Sequence, residues 1–406
     1  MLPWVAALGS TLLMQSVASF LTQSVPVIAP LVTARAGLPP EAVGNLSALV
    51  AAGTALFLLL GGPLLTRMGP VRTLQWGAAV SAAAMLLLGV GSTPALVAAS
   101  LLLGIGYGPS PPAGSRILAA TAPAGHRTLI FSIKQAGAPL GGAFAGLVTA
   151  PVANAFGWMA GILVTVAVAL LAALVIQPLK ETLDAERDPR QPIGLGTILQ
   201  RRTWAAPVVA LGLHPSLPPL TALAMSFAAV QGCLFTFSVT WLHLSHGLSL
   251  VQAGTAFASM QAAGVVARIL LGWLADRTGR PVRNLLIQAV AAAAVTLGFA
   301  WMPADTSLLV VNLLAGAAGF LAASWNGIYL SEVARLAPPA QVAAATAGST
   351  LFTFLGYLFA PAGFTLLVAL SGSWVLPLTL VAAQLALVSL LVSVLLRSHS
   401  AGSSTR

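Results

Sequence analysis

Residues 272–280 read GWLADRTGR, and residues 62–69 read GPLLTRMG. The two stretches match at one constant offset: Gly62 with Gly272, Leu64 with Leu274, Arg67 with Arg277, and Gly69 with Gly279. Each follows a long apolar run. Each is soon followed by Pro-Val-Arg, at 70–72 and 281–283. The chain therefore carries an internal repeat of two related halves, and its fold depends on what the apolar runs are.

Composition decides that. Of 406 residues, 58% are hydrophobic and only 6% are charged. A soluble domain carries about 25% charged residues, so a water-exposed surface cannot be built here. The apolar runs are long enough to cross a hydrocarbon layer of about 30 Å as helices. The 39 glycines and 27 prolines are compatible with this, because membrane helices tolerate both. The expected class is an all-α integral membrane protein. One cysteine, Cys233, excludes an intrachain disulfide and a thiolate metal cluster. The net charge of +10 lies mostly between the runs, where it sets topology and meets anionic lipid rather than nucleic acid.

Glycine, proline and charge clusters divide the chain into twelve spans. They cover residues 5–31, 43–66, 72–91, 95–119, 128–151 and 157–178, then 218–243, 249–274, 284–302, 306–331, 341–366 and 373–396. Ser16-Val17-Ala18 resembles a cleavage site, but no Lys or Arg precedes the run, so it is read as a retained first span. The polar stretch KETLDAERDPRQP, with LQRRTW after it, is the one real linker. The expected organisation is a six-helix bundle over 1–178, a cytoplasmic linker over 179–217 and a second six-helix bundle over 218–406. With both termini inside, Arg67, Arg72, Arg127, Lys180, Arg187, Arg190, Arg201, Arg202, Arg277, Arg280, Arg283, Arg335, Arg397 and Arg406 all lie cytoplasmic. Arg116 lies near that edge, and only Arg35 faces outward. The excess of positive charge fixes that orientation.

Gly272-Trp-Leu-Ala-Asp276-Arg277-Thr-Gly279-Arg280 resembles the loop signature of the major facilitator superfamily, G-x-x-x-D-R-x-G-R. Span count, linker and repeat extend the resemblance over the whole chain. The first copy departs from it, with Thr66 at the acidic position and Pro70 at the following basic one. The resemblance implies two pseudo-symmetric bundles that admit a cargo alternately from each side. It also implies that the loop is a cytoplasmic latch, built here from Gly272, Asp276, Arg277, Gly279 and Arg280 with Arg67 in the first loop. Glu332 is placed to receive one of the arginines. A carboxylate at Asp276 would hold a neighbouring helix N-terminus by its dipole. The plainer reading of these arginines is a positive-inside anchor.

Two charged residues fall clearly inside the spans, Lys134 in FSIKQAGAPLGG (131–142) and Arg268 in VVARILLGWLAD (265–276). Each lies about 9 Å from the cytoplasmic boundary at 1.5 Å per helical residue. No Asp or Glu lies clearly within a span. The resemblance implies that spans 5 and 8 meet across the halves, bringing both cations to one interface, where a small organic anion relieves their repulsion. Arginine forks onto a carboxylate, and lysine supplies a mobile point charge. The alternative is that both stems snorkel to the inner surface. The Val-Ala-Arg triplet also resembles span 8 of the monocarboxylate transporter branch, where the arginine contacts a substrate carboxylate. In that branch an acid stands one turn earlier; here it is Gly264.

Gln15, Ser19 and Gln23 share one face of span 1. The family fold places spans 1, 4, 7 and 10 around the cavity, which makes Gln15, Gln23, Tyr107, Gln231 and Asn326 candidate cargo contacts, with Gln261 on the face of Arg268. Interhelical hydrogen bonding is the competing role of each. Gly137, Gly141, Gly142 and Gly146 form two GxxxG patterns for close helix packing, and Pro139 is expected to bend span 5. Ser100 stands where the proton-antiporter branch carries an arginine, which argues against a proton-driven drug exporter. His126, His214, His243 and His246 are not placed as a proton shuttle or a metal site. The sequence thus points to a monomeric, multi-pass carrier of a bacterial plasma membrane. It uses no cofactor and no ATP, does no enzymatic chemistry, and moves a small, monocarboxylate-like anion. The alternative is an exporter of amphipathic compounds with an apolar cavity.

Overall fold

A computed structural model describes residues 3–123, 127–185, 187–194, 196, 209, 211–338 and 342–403. His126, Arg201, Arg202 and Arg406 lie outside the described residues. Eleven helices are long and apolar enough to cross a membrane: Trp4–Val27, Pro40–Leu60, Pro70–Leu88, Ile133–Phe156, Trp158–Leu183, Leu217–Ser245, Leu250–Thr278, Pro281–Ala300, Leu308–Leu336, Gly348–Ser371 and Val375–Leu396. The twelfth span, fourth in order, is in two pieces, Thr93–Tyr107 and Ser110–Thr121.

That break corrects the continuous span expected over 95–119, and its cause is chemical. Pro109, Pro111 and Pro112 have no N–H, so the carbonyls four residues before them lose their helical donors. The fifth span breaks as well, between Arg127–Gln135 and Gly137–Phe144. Pro139 removes the bond to the Gln135 carbonyl, so the bend falls one turn before the proline, and a π turn follows over Ala145–Thr149. The tenth span divides into Leu308–Ala322 and Asn326–Leu336 without a proline.

The chain forms two compact units. One holds Met1–Leu199 with Thr236–Ala258, and the other Gln200–Phe235 with Ser259–Arg406. In the first unit, Gly141 of the fifth span lies against the Ser16 carbonyl of the first, so a β-carbon there would overlap backbone. Gly146 and Gly254 meet in the same manner, backbone on backbone. Both are the close approaches that small residues permit between membrane helices.

The repeat survives in the backbone. Gly69 and Gly279 end their helices with φ of 89° and 62°, a region that favours glycine. Pro70 and Pro281 then open the next helix at its first turn, where a missing N–H costs nothing.

Candidate substrate site

In the first unit, the break in the fourth span is bridged from the first. Gln15 donates its amide N–H to the Tyr107 hydroxyl at 3.1 Å and accepts from Ser110 Oγ at 2.9 Å. The two partners stand on either side of the interruption. Ser19 donates to the Ala138 carbonyl at 2.6 Å, beside the bend of the fifth span. Gln23, one turn further on, has a buried Oε1 with no hydrogen-bond partner.

Lys134 is 2% exposed, so its side chain ends inside the protein. A β-carbon on Gly114 would stand 2.7 Å from Lys134 Cε and 3.3 Å from Nζ. The ammonium therefore crosses the glycine of the inner piece of the fourth span, with Thr11 of the first span alongside. Gly114 is a residue the sequence did not single out. Its signal lay in its place, five residues after the Pro109 break.

In the second unit, the interruption of the tenth span frees backbone carbonyls, and neighbouring spans take them. Arg268 Nε donates to the Ala323 carbonyl at 3.3 Å. Gln288 Nε2 donates to the Leu321 carbonyl at 2.7 Å and to Ser324 Oγ at 2.9 Å. Irregular backbone at membrane depth requires such partners. One of the five guanidinium N–H donors of Arg268 is used in this way.

Gln231 accepts from Trp325 Nε1 at 3.0 Å and from the Tyr357 hydroxyl at 2.9 Å. Its amide thus ties the seventh span to the tenth and eleventh. Trp325 stacks on Phe227, with ring centroids 5.7 Å apart. Asn326, next in sequence, has a buried Oδ1 without a partner. Gln261 is 1% exposed, and neither its Nε2 nor its Oε1 has a partner. It precedes Arg268 by seven residues, two helical turns, on the same face. A buried, unpaired amide is costly; the carbonyl of its neighbour Met260 lies against Gly319 in the outer piece of the tenth span. Trp325, Tyr357 and Gln288 were not foreseen as site residues; their signal was a polar atom at the depth of Asn326 and Gln231.

At the inner ends, Arg277 lies over the Trp273 ring, 5.3 Å from its centroid, and Asp276 is exposed. Glu332 is buried and accepts from Arg335 of its own helix, at 2.8 Å from Nε. The first loop, which has Thr66 in place of an acid, is met by a carboxylate from further along the chain. Asp184, after the sixth span, accepts the Val71 N–H at 2.7 Å and the Arg72 N–H at 3.2 Å. The Asp188 N–H donates to the Thr66 carbonyl at 2.9 Å, so the start of the linker is fastened to the first loop. Burial pushes the Asp184 carboxyl above its ordinary range, against the two amide bonds and the charges of Arg72 and Lys180.

Interrupted spans stand in corresponding places of the two repeated halves, with the buried Lys134, the partly exposed Arg268 and several buried amides around them, the pattern that marks the membrane-carrier class. The chain belongs to the major facilitator superfamily, whose family model matches residues 11–361. It is 27% identical over 311 residues to the uncharacterised MFS-type transporter Rv2994 of Mycobacterium tuberculosis strain H37Rv, and equally to MT3072 of strain CDC 1551. The match covers 75% of this chain and 65% of each relative. Among solved structures, a bacterial homologue of the human lysosomal transporter Spinster superimposes with a TM-score of 0.75 at 15% identity, over 97% of this chain and 96% of that one. The nucleoside transporter NupG gives 0.74 at 13%, over 96% and 99%. The peptide transporter POT in complex with sulfate gives 0.73 at 15%, over 97% and 94%. At these identities the likeness establishes the fold. The chain is a multi-pass membrane protein of this superfamily, and it spans about 65% of the length of the relatives it matches.

Proposed function

We propose that the cargo is a small organic anion of monocarboxylate type, moved by alternating access. The observation that carries this reading is Gln261. Its buried amide has a donor and an acceptor without partners, and it shares a helix face with the guanidinium of Arg268. A carboxylate takes a forked pair of N–H donors from arginine and a further N–H from an amide. Asn326 and Gln23, each with an unpaired buried oxygen, suit the hydroxyl or N–H groups of such a cargo. Lys134 adds positive charge inside the first unit, and Gln15, Tyr107 and Gln231 hold the interrupted spans in shape around the path.

Gly272, Asp276, Arg277, Gly279 and Arg280 serve as the inner latch, with Arg67 in the first loop and Glu332 at the inner end of the tenth span. In this scheme the carrier works as a monomer in a bacterial plasma membrane, a setting in keeping with its mycobacterial relatives. The test is counterflow of labelled small monocarboxylates into proteoliposomes. Arg268→Ala should abolish uptake and Lys134→Ala should reduce it. Undiminished anion uptake in both variants, or saturable uptake of apolar cations only, would sink the anion assignment and favour the amphipathic exporter.

A further inference from the structure

The two copies of the repeat treat the same helix start differently. In the first copy Pro70 opens the third span, and the next two N–H groups, of Val71 and Arg72, both donate to the Asp184 carboxylate. Gly69 makes room for it: a β-carbon there would stand 2.5 Å from Asp184 Cγ. In the second copy Pro281 opens the ninth span, a helix of 20 residues, and Val282 and Arg283 occupy the same two positions. Among the described residues neither N–H has a hydrogen-bond partner; the first bond runs from the Asn284 N–H to the Arg280 carbonyl. A β-carbon on Gly279 would meet nothing within 4 Å. The chain fills this seat with its own carboxylate in the first copy and not in the second. Residues 397–406, which follow the twelfth span as Asp184 follows the sixth, contain no Asp or Glu.

Charge is arranged about the second seat against the preference of the helix. Arg280 is the N-cap residue of the ninth span and makes no capping bond, and Arg283 lies in its first turn. A helix N-terminus disfavours cations and attracts anions. Arg277, Arg280 and Arg283 are exposed, as is Asp276, and three arginines against one aspartate leave a net charge of +2. Among the described residues Asp276 pairs with none of the three.

The eighth span leads lipid to this place. Val266, Leu270, Trp273 and Arg277 follow one another at steps of four, three and four residues, along one helix face. The three apolar members are exposed, Trp273 by 57%, so in a bilayer the face meets hydrocarbon. Arg277 lies over the Trp273 ring, 5.3 Å from its centroid, and ends that stripe with a charge.

We infer that Arg277, Arg280 and Arg283, with the Val282 and Arg283 N–H groups, bind the phosphate of an anionic phospholipid of the inner leaflet. The seat suits an oxyanion, because the first copy places a carboxylate on the same two N–H groups. The arginines add forked donors of the kind that a phosphate accepts. The acyl chains then run along the stripe from Trp273 to Val266. The inference concerns two arginines of the inner latch and does not depend on the cargo.

The test uses the full chain in nanodiscs of phosphatidylcholine doped with phosphatidylglycerol, and native mass spectrometry counts the lipid that stays bound. Phosphatidylglycerol should be enriched several-fold over its share of the bilayer. Val282→Pro removes one N–H and no charge, and Pro218 already occupies that position of the seventh span. It should cut the enrichment several-fold, and so should Arg280→Gln. Arg190→Gln removes an equal charge from the exposed linker and should change nothing. Should Val282→Pro not fold, Arg280→Gln set against Arg190→Gln decides. Enrichment unchanged in Val282→Pro or in Arg280→Gln, or lost equally in Arg190→Gln, would reduce the cluster to a diffuse basic surface and overturn the proposal. Displacement of the bound lipid by millimolar inorganic phosphate would overturn it in favour of a free-phosphate site. Lipid is counted here without cargo, so the outcome is separate from that of the anion-uptake experiment.

Discussion

Asp184 accepts the backbone N–H of Val71 at 2.7 Å, more than a hundred residues away in sequence. Its second oxygen takes the Arg72 N–H at 3.2 Å. A side chain from the linker thus does the work of a helix cap for the third span, whose own Gly69 has no side chain with which to do it. The second copy of the loop has its acid at Asp276, which is exposed; the acid that meets the helix after the first loop comes from the linker.

Removing that carboxylate should loosen the linker and the third span together. Asp184→Ala forfeits both bonds, and the loss of an N-cap costs about 0.5–2 kcal/mol. A lowered melting temperature in detergent, with faster proteolysis after Lys180, checks this. An unchanged melting temperature would show that the linker contact contributes nothing.

The same carboxyl sets a pH dependence. Burial raises its pKa in the folded protein above the unfolded value, outweighing the Val71 and Arg72 bonds and the charges of Arg72 and Lys180. A raised folded pKa means that the group's contribution is fully present below the unfolded pKa and is lost as pH rises through the folded one. The melting temperature of the native chain relative to Asp184→Asn should therefore fall as pH rises through that window. A difference constant with pH would contradict the assignment.

Arg268→Lys separates charge from shape. Lysine keeps the cation but not the planar fork. Loss of a hydrogen bond to a charged group costs about 1.5–3 kcal/mol, which at 1.36 kcal/mol per tenfold is roughly a 10- to 150-fold drop in uptake efficiency. Full activity in the lysine variant would mean that Arg268 acts only as a point charge or only as a partner for the Ala323 carbonyl.

Gln231 and Trp325 should be unequal. Trp325→Phe removes one donor and leaves Tyr357 on the Gln231 oxygen, a cost of about 0.5–1.5 kcal/mol. Gln231→Leu takes the acceptor from both Trp325 and Tyr357, and the buried indole N–H alone then costs about 1–3 kcal/mol. Thermal unfolding of the two variants and of the double variant measures this. Equal losses would show that the Tyr357 bond to Gln231 contributes nothing.

Gly141→Ala places a β-carbon on the Ser16 carbonyl, and overpacking against backbone costs about 1–3 kcal/mol. A stable, active alanine variant would show that the first and fifth spans can separate there without penalty.

The sequence by itself determined that this chain crosses a membrane many times, that its halves repeat, and that Lys134 and Arg268 lie within spans. Those facts rest on composition, run length and local spacing, which need no partner. It also marked the residues that now have unpaired polar atoms, Gln23, Gln261 and Asn326, because an amide in an apolar run is conspicuous wherever it folds. What it did not determine is which carbonyl Arg268 meets, that Gln15 spans the break of the fourth span, or that Asp184 accepts the first N–H groups of the third span. Each is a contact between segments far apart in the chain. The helix breaks lie between the two cases. Prolines write the fourth and fifth into the sequence, but the tenth carries none, and its freed carbonyls at Leu321 and Ala323 are met by side chains from the ninth and eighth spans. Tertiary packing decided that break, because only a folded neighbour can supply a donor to a carbonyl that water does not reach.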